Sequence, residues 1–281
     1  MKIGISTFST DRTLGLVNLA KEVEERGFDC LFLTEHTHIP LKQSVQHPEA
    51  DENGDLPEFY RRTIDPFVGL SFAAASTTTL ELGTGICLLA QRDPITTAKE
   101  VASLDMLSGG RFVFGVGYGW NADELASHGG NFRTRRTVVR ERVELWSEDV
   151  ASYQGEYEKL DPSYAWPKPV QDPYPPVYLG GRGNKTMLEA AKWADVWYPT
   201  VDPEDPTMKH LFGRFWAAVD ETGRDASTVG VAVAAAPPDP ELLASYREQG
   251  ARMATLSLNA ADPDVMLHQL DDLTKVLISL R

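Results

Sequence analysis

The chain has 281 residues, 42% of them hydrophobic, and its formal net charge at pH 7 is −14. This length can bury one large core as a single domain, and the negative charge argues against nucleic acid as a partner, because a polyanion needs a basic surface. The two cysteines, Cys30 and Cys87, form no CxxC pair, so neither a disulfide framework nor a zinc site is indicated.

The first predicted strand lies at residues 2–7, with no basic and then apolar leader before it. No apolar run reaches the ~18 residues that cross a bilayer. We therefore expect a cytoplasmic protein with no membrane partner.

Short apolar runs alternate with segments of helical periodicity along the whole chain. The predicted strands are residues 2–7, 30–33, 80–86, 112–116, 176–179, 196–198, 229–235 and 253–258. The predicted helices lie between them and after the last, from residue 16 to the glycine at 27 and at residues 65–76, 96–107, 134–150, 185–193, 206–221, 240–249 and 263 onward. In the third helix, Val101, Leu104 and Leu107 are predicted to face inward.

Strict alternation of strand and helix predicts a parallel sheet, and eight units in this length favour a closed (β/α)8 barrel of the TIM type, a single domain over residues 1–281. An open doubly wound sheet stays possible, because periodicity does not report closure. Two long connections interrupt the pattern. Residues 38–60 are polar and predict a lid loop, and residues 151–176 predict an irregular excursion between helix four and strand five, whose aromatic side chains could serve dimerisation.

In such a barrel the active site lies at the rim formed by the C-terminal ends of the strands. Glycines end strands three and four, at residues 83, 85, 115 and 117, and Tyr118 and Trp120 follow them. Glycine allows close approach of a ligand to the main chain, so this set predicts a surface for a planar aromatic cofactor. The alternative is that each glycine only serves a bend between strand and loop.

The segment Gly180-Gly181-Arg182-Gly183-Asn184 joins strand five to the start of a helix. Unpaired N–H groups and the helix dipole favour phosphate at such a position, so the segment predicts an anion site. A plain turn between strand and helix is an equal alternative.

His36 ends strand two, directly after Glu35. An imidazole that titrates near neutrality can exchange a proton with a substrate oxygen, and the alternative is a histidine of the core. A metal site made of His36, His38 and His47 has no familiar ligand spacing, so no metal is predicted.

Five arginines form a basic island in this acidic chain. The favoured interpretation is a solvated helix face with pairs such as Arg140–Glu144, and the alternative is an anchor for the acidic tail of a ligand. The arginines are Arg133, Arg135, Arg136, Arg140 and Arg142.

Several segments in this order resemble the bacterial luciferase-like superfamily, and most closely its branch that uses the deazaflavin coenzyme F420. They are Gly-Thr-Gly-Ile at 83–86, Leu-Asp-Met-Leu-Ser-Gly-Gly-Arg-Phe at 104–112, Gly-Val-Gly-Tyr-Gly-Trp-Asn at 115–121, and Trp-Pro-Lys-Pro-Val-Gln at 166–171 leading to Pro-Val-Tyr-Leu-Gly-Gly at 176–181. The resemblance implies a luciferase-like TIM barrel, a homodimer, and a non-prolyl cis peptide between Gly85 and Ile86, behind the deazaflavin ring.

The resemblance also implies roles for individual residues. Glu35 and His36 would be the catalytic acid–histidine pair, and Phe8, Trp120 and Tyr198 would line the substrate pocket. Cofactor contacts would come from two groups. Gly85, Ile86, Tyr118, Gly119 and Asn121 would hold the ring and its ribityl chain, and Gly180, Gly181, Gly183 and Asn184 would hold the phosphate.

One departure bears on the substrate. The F420-dependent glucose-6-phosphate dehydrogenases resemble this chain but place a glutamate, which acts on the sugar, where Trp120 stands. An indole cannot take a proton, so oxidation of a sugar phosphate is not expected, and Trp120 instead suggests an apolar or aromatic substrate surface. The expected function is therefore an F420-dependent oxidoreductase acting on a small, apolar or aromatic organic substrate. Two alternatives are an FMN-dependent monooxygenase that activates oxygen and a non-catalytic barrel that binds a flavin or deazaflavin.

Overall fold

A computed structural model describes residues 1–45, 47–144, 150–202, 204 and 210–281. Its strands are β1 (Lys2–Thr7), β2 (Cys30–Leu33), β3 (Glu81–Thr84), β4 (Phe112–Val116), β5 (Val150–Gln154), β6 (Lys159–Tyr164), β7 (Val177–Gly180), β8 (Val196–Tyr198), β9 (Gly230–Ala236) and β10 (Ala251–Leu258). Its α-helices are α1 (Leu16–Glu25), α2 (Pro66–Ser76), α3 (Pro94–Ser108), α4 (Ala122–Ser127), α5 (Arg135–Glu144), α6 (Asn184–Trp193), α7 (Leu211–Thr222), α8 (Pro240–Glu248) and α9 (Pro263–Ser279).

Eight of these strands close into a parallel barrel in the order β1-β10-β9-β8-β7-β4-β3-β2. The first strand pairs with the last, from Lys2 opposite Met253 to Thr7 opposite Leu258. This closure confirms the predicted (β/α)8 barrel and excludes the open sheet. None of the described helices is long and apolar enough to cross a bilayer.

Both faces of the barrel strands are buried, which explains why the strands appear in the sequence as short continuous apolar runs. In β2 all four residues are buried: Cys30 and Phe32 belong to the cluster inside the barrel, whereas Leu31 and Leu33 join the larger layer between strands and helices. The interior cluster is completed by Val113, Tyr178, Val196, Tyr198, Ala232 and Met253.

Helix α3 begins and ends at residues with clear local causes. The Asp93 side chain accepts from Thr96 N at 2.7 Å, so the helix begins at Pro94, two residues before the predicted start. Gly109 ends it with a φ of +70°. The prediction that Leu107 faces inward is wrong, because the buried stripe runs through residues 97, 101, 104 and 108 and leaves Leu107 73% exposed.

The excursion is more regular than predicted. Strands β5 and β6 form a two-stranded antiparallel sheet outside the barrel, with Tyr153 opposite Leu160. The buried carboxylate of Glu141 accepts three backbone N–H groups of residues 156–158 at 2.8–2.9 Å, which fixes the hairpin turn to α5.

Two predicted helix boundaries need comment. The predicted helix 134–150 is wrong at its last residue, where β5 begins, and its residues 145–149 lie outside the described part of the chain. The predicted start of the helix 206–221 also lies outside it, and α7 is described from Leu211.

Helix α1 is tied to the turn before β3 by one carboxylate. Oε1 of Glu24 accepts from the backbone N–H groups of Thr78, Thr79 and Leu80 at 2.8, 2.6 and 3.0 Å. Burial alone would raise the pKa of Glu24, but these hydrogen bonds outweigh it and hold the pKa below the ordinary value of 4.5.

We expect Glu24→Gln to lower the free energy of unfolding by about 2 kcal/mol at neutral pH, since an amide accepts these bonds more weakly. A carboxylate whose pKa is lower in the folded state than in the unfolded chain stabilises the fold at pH values above its unfolded pKa. This stabilisation is lost as the pH falls through the pKa of the folded state. The difference between variant and wild type should therefore shrink below about pH 4.5, measured by urea denaturation. Glu25→Gln, on the exposed side of α1, is the matched control, and a pH-independent difference would contradict the prediction.

Candidate active site

Aromatic side chains from several segments meet at the rim beside β1 and β2. The imidazole of His36 lies 5.4 Å from the ring of Tyr60 and 5.9 Å from that of Trp120. Phe8 lies 4.8 Å from Tyr60, and His47 lies 4.6 Å from Trp120. These five residues form what we call the aromatic wall. It brings together the predicted residues Phe8, His36 and Trp120, with Tyr60 and His47 supplied by the 38–60 segment.

The acid partner of His36 is Glu124. Nδ1 of His36 lies 2.9 Å from Oε2 of Glu124, and the two side chains are 7% and 1% exposed. The other carboxylate oxygen accepts from the backbone N–H of Thr37 at 3.1 Å. The site therefore contains a buried histidine–carboxylate pair that the sequence analysis did not identify.

Glu124 lies on α4, a helix that was not predicted because it has only six residues. Asn121 caps this helix: its Oδ1 accepts from the N–H groups of Asp123 and Glu124, both at 3.1 Å. An Asn followed three residues later by Glu is the spacing of a capping box, and it was the available signal in the sequence. Asn121 is 2% exposed, and its predicted contact with a cofactor stays a prediction.

Glu35 was expected to form an acid–histidine pair with His36, but its carboxylate contacts other residues. Its carboxylate accepts from Leu88 N at 2.6 Å and from Arg92 Nε at 2.7 Å. Both residues lie beyond the end of β2, and their side chains have separate partners, Leu88 and Arg92 for Glu35 and Glu124 for His36. Arg92 also contacts Asp65 and Glu100, so Glu35 belongs to an ion-pair network that joins the ends of β2 and β3.

The predicted cis peptide between Gly85 and Ile86 is present. The side chain of Ile86 lies against two glycines of the rim: a Cβ at Gly117 would be 2.6 Å from Ile86 Cδ1, and a Cβ at Gly180 would be 2.7 Å from Ile86 Cγ2. These glycines form a cradle for Ile86. By contrast, a Cβ at Gly83 would be 2.5 Å from the ring of Phe32, so that glycine serves packing inside the barrel.

Tyr118 is held at the rim by neighbours on two helices. Its hydroxyl donates to Glu189 of α6, and the guanidinium of Arg136 lies 4.1 Å above its ring. Burial raises the pKa of Tyr118, and the Glu189 carboxylate raises it further. Gly119 follows with a φ of +66°. Contact of Tyr118 and Gly119 with a cofactor stays a prediction.

The predicted anion segment leads into α6, which begins at Asn184 with Gly183 as its N-cap and without a capping side chain. Residues 181–185 are exposed, and Gly181 has a φ of +119°. Arg214 of α7 donates to Oδ1 of Asn184. Free N–H groups and a nearby cation are what a phosphate requires, and its contact with this segment stays a prediction.

Most of the arginine island is occupied within the protein. Arg136 contacts Glu189 at 3.0 Å and Thr186 Oγ1 at 3.1 Å, and Arg142 contacts Glu158 at 2.6 Å. The Arg140–Glu144 pair that the sequence predicted is present at 3.8 Å. These contacts confirm that the helix face is paired, but of these three arginines only Arg140 is solvated, because the side chains of Arg136 and Arg142 are 23% and 15% exposed.

Tyr198, predicted to line the substrate pocket, lies inside the barrel. It is 2% exposed, and its hydroxyl shares a 2.7 Å hydrogen bond with Thr255 Oγ1. Its ring packs 5.4 Å from that of Phe32, because alternate residues of β8 face the interior. Within the described part of the chain, no group of three or more His, Cys, Asp or Glu side chains could hold a metal ion.

Comparison with known proteins adds to this geometry. The profile of the luciferase-like monooxygenase family matches residues 3–263. An uncharacterized protein of Mycobacterium tuberculosis is 41% identical over 89% of each chain. The F420-dependent hydroxymycolic acid dehydrogenase of the same organism is 28% identical over 79% of this chain and 58% of its own length.

Among solved structures, the monooxygenase RslO1 from Streptomyces bottropensis has the same fold, with a TM-score of 0.78, 18% identity and 99% of each chain covered. The relatives include two dehydrogenases named for F420 and one monooxygenase named for reduced FMN.

Proposed function

The chain belongs to the luciferase-like monooxygenase family, and on that premise we propose that it is a coenzyme F420-dependent oxidoreductase acting on a small, apolar or aromatic organic substrate. The observation that carries the proposal is the buried His36–Glu124 pair, which lies beside aromatic side chains at the rim where barrel enzymes hold their substrates. The 28% identical relative named for F420 supports the choice of cofactor.

The residues present fit a flat ring group with an anionic tail. Gly117 and Gly180 leave the space that Ile86 occupies, so Ile86 and the backbone around it would contact one face of the ring. Tyr118, Gly119 and Asn121 would hold the ring and its ribityl chain. The tail would lie along Gly180–Asn184, where the exposed start of α6 and Arg214 favour phosphate.

When bound, the deazaflavin supplies the hydride chemistry. The chain itself contributes three functions. The aromatic wall excludes water from the reacting atoms, and Phe8 and Trp120 present apolar surface to the substrate. His36 exchanges a proton with a substrate oxygen through Nε2, since its Nδ1 is engaged by Glu124. Glu35 positions the ends of β2 and β3 through Arg92.

Two alternatives lead to different experimental results. An FMN-dependent monooxygenase would bind FMN in the same place, and the relative named for reduced FMN supports this alternative. A non-catalytic barrel would bind a flavin or deazaflavin without turnover.

Titration of the purified chain with F420 and with FMN, followed by fluorescence, tests the proposal. We expect F420 to bind at least about tenfold more tightly, a difference of ~1.4 kcal/mol. Reduction or oxidation of bound F420 should then be found in a panel of alcohols, enones and nitroaromatics. Preference for FMN would favour the monooxygenase, and tight F420 binding with no turnover on the panel would favour the non-catalytic barrel.

We also propose that the chain forms a homodimer. Helices α2 and α3 lie side by side and carry large apolar side chains on their outer faces. Val68, Phe72, Ile95 and Leu107 are each at least 60% exposed, an apolar surface that a second copy would cover. No nucleic-acid or membrane partner is proposed.

A further inference from the structure

We propose that Glu124 is a positioning residue that places the proton of the neutral His36 ring on Nδ1 and so leaves Nε2 free to act at the rim. The inference rests on the proposed function only for its kinetic consequence. Its structural basis is the set of hydrogen bonds that the buried Glu124 carboxylate makes with His36 and Thr37.

The Glu124 carboxylate contacts the His36 ring and two donors of Thr37, the backbone N–H and, at 3.5 Å, the hydroxyl. Oε2 lies 2.9 Å from His36 Nδ1, and Oε1 accepts from the backbone N–H of Thr37 at 3.1 Å. The Glu124 side chain is 1% exposed, so water does not substitute for either partner. A backbone N–H is a donor in every state, so Oε1 must accept.

The tautomer of His36 follows from this arrangement. An ionised carboxylate has acceptors only, so Nδ1 of His36 must carry a hydrogen to make the bond with Oε2. The neutral ring then has its lone pair on Nε2. In a proton transfer, the O–H bond of a substrate breaks and the Nε2–H bond forms, and the positive charge gained by the ring is stabilised by the carboxylate of Glu124.

Glu124 keeps its place because α4 is fixed at both sides. Asn121 caps the helix, and Asp123 accepts from Ser44 N at 2.6 Å and from Ser44 Oγ at 2.8 Å. Nδ2 of Asn121 lies 3.4 Å from Oε1 of Gln43. One short helix therefore joins the loop of residues 38–60 to the imidazole.

Glu124→Gln tests the inference. A glutamine offers one acceptor oxygen and one NH₂ group, and the N–H of Thr37 requires the oxygen. The NH₂ group then faces Nδ1, which can accept only if its hydrogen moves to Nε2. We expect the substitution to convert the neutral His36 ring from the Nδ1–H to the Nε2–H form.

The measurement is ¹⁵N–¹H correlation NMR of the histidine rings in a pH series that continues upward until the His36 ring is neutral, with His36→Asn used for assignment. Glu25→Gln is the matched control: it makes the same change of carboxylate to amide at an exposed position on α1, and it should leave the His36 ring in the Nδ1–H form. Under the proposed function, Glu124→Gln should also lower kcat by about 10- to 100-fold with the Kd for F420 unchanged.

An Nε2–H ring in the wild-type protein would overturn the inference, and so would an Nδ1–H ring in a folded Glu124→Gln variant. The wild-type spectrum decides the question even if the variant does not fold. Neither spectrum needs a cofactor, so failure of the proposed function, seen as absence of F420 binding, is distinguishable from failure of this inference.

Discussion

Replacing His36 by asparagine is expected to lower kcat by about 10²- to 10⁴-fold, the range that a general acid–base group contributes. The amide NH₂ of asparagine can take the place of the Nδ1 donor and keep the hydrogen bond to Glu124, but nothing then stands where Nε2 was. The free energy of unfolding should therefore stay within about 1 kcal/mol of the wild-type value. Steady-state kinetics on a substrate identified in the panel measures kcat, and urea denaturation measures the free energy of unfolding.

His38→Asn is the matched control for this experiment. His38 contacts Thr37 Oγ1 at 3.1 Å and lies 5.5 Å from the ring of His128, away from the aromatic wall. We expect kcat of this variant to stay within about twofold of wild type. An unchanged kcat in His36→Asn would assign His36 to packing and remove proton transfer from the proposed mechanism.

The second large effect concerns folding. We expect Gly115→Ala to lower the free energy of unfolding by about 3–5 kcal/mol, since the new Cβ would lie 1.9 Å from the carbonyl oxygen of Thr84. That oxygen belongs to the neighbouring strand, and two hydrogen bonds hold the strands together: Thr84 Oγ1 and Cys87 N both donate to Gly115 O, at 2.7 and 2.8 Å. Neither backbone can move without breaking the pairing of β3 and β4.

Urea denaturation followed by circular dichroism measures this effect, and Gly213→Ala is its matched control. Gly213 lies inside α7 on the exposed side, and apart from its chain neighbours and the nearby helix backbone no described atom lies within 4 Å of its Cβ position. Alanine there should stabilise the helix by up to about 1 kcal/mol. A loss of less than 1 kcal/mol in Gly115→Ala would show that β3 and β4 separate more easily than their hydrogen bonds imply.

The barrel could be predicted because its strands are buried on both faces and its helices are long enough to show periodicity. Asp262, followed by Pro263, marked the start of α9 correctly, whereas the start of α3 at Asp93 and Pro94 was missed by two residues. Helix α4 was not predicted, because its six residues make less than two turns, too few to show helical periodicity. The hairpin of β5 and β6 escaped because aromatic and proline residues obscured its alternation.

The site was predictable only in part. His36, Phe8 and Trp120 follow strand ends, and the barrel topology brings strand ends together. The resemblance placed Glu35 beside His36 as the acid of a catalytic pair, whereas the carboxylate that contacts His36 belongs to Glu124, 88 positions away. Tyr198 was placed correctly at a strand end, but its side chain turns inward, and only the packing around Phe32 reveals this.

The aromatic wall has a consequence for how this protein could diversify. Phe8, His47, Tyr60 and Trp120 lie outside the strands, in the segments that follow or connect them, so none of them takes part in closing the ring of eight. Selection for a new substrate could therefore exchange the partly buried Phe8, His47 and Trp120 without disturbing strand pairing, whereas Tyr60 is 5% exposed and its replacement would also cost packing. Combinatorial libraries restricted to such positions should yield altered substrate selectivity far more often than libraries directed at the barrel strands.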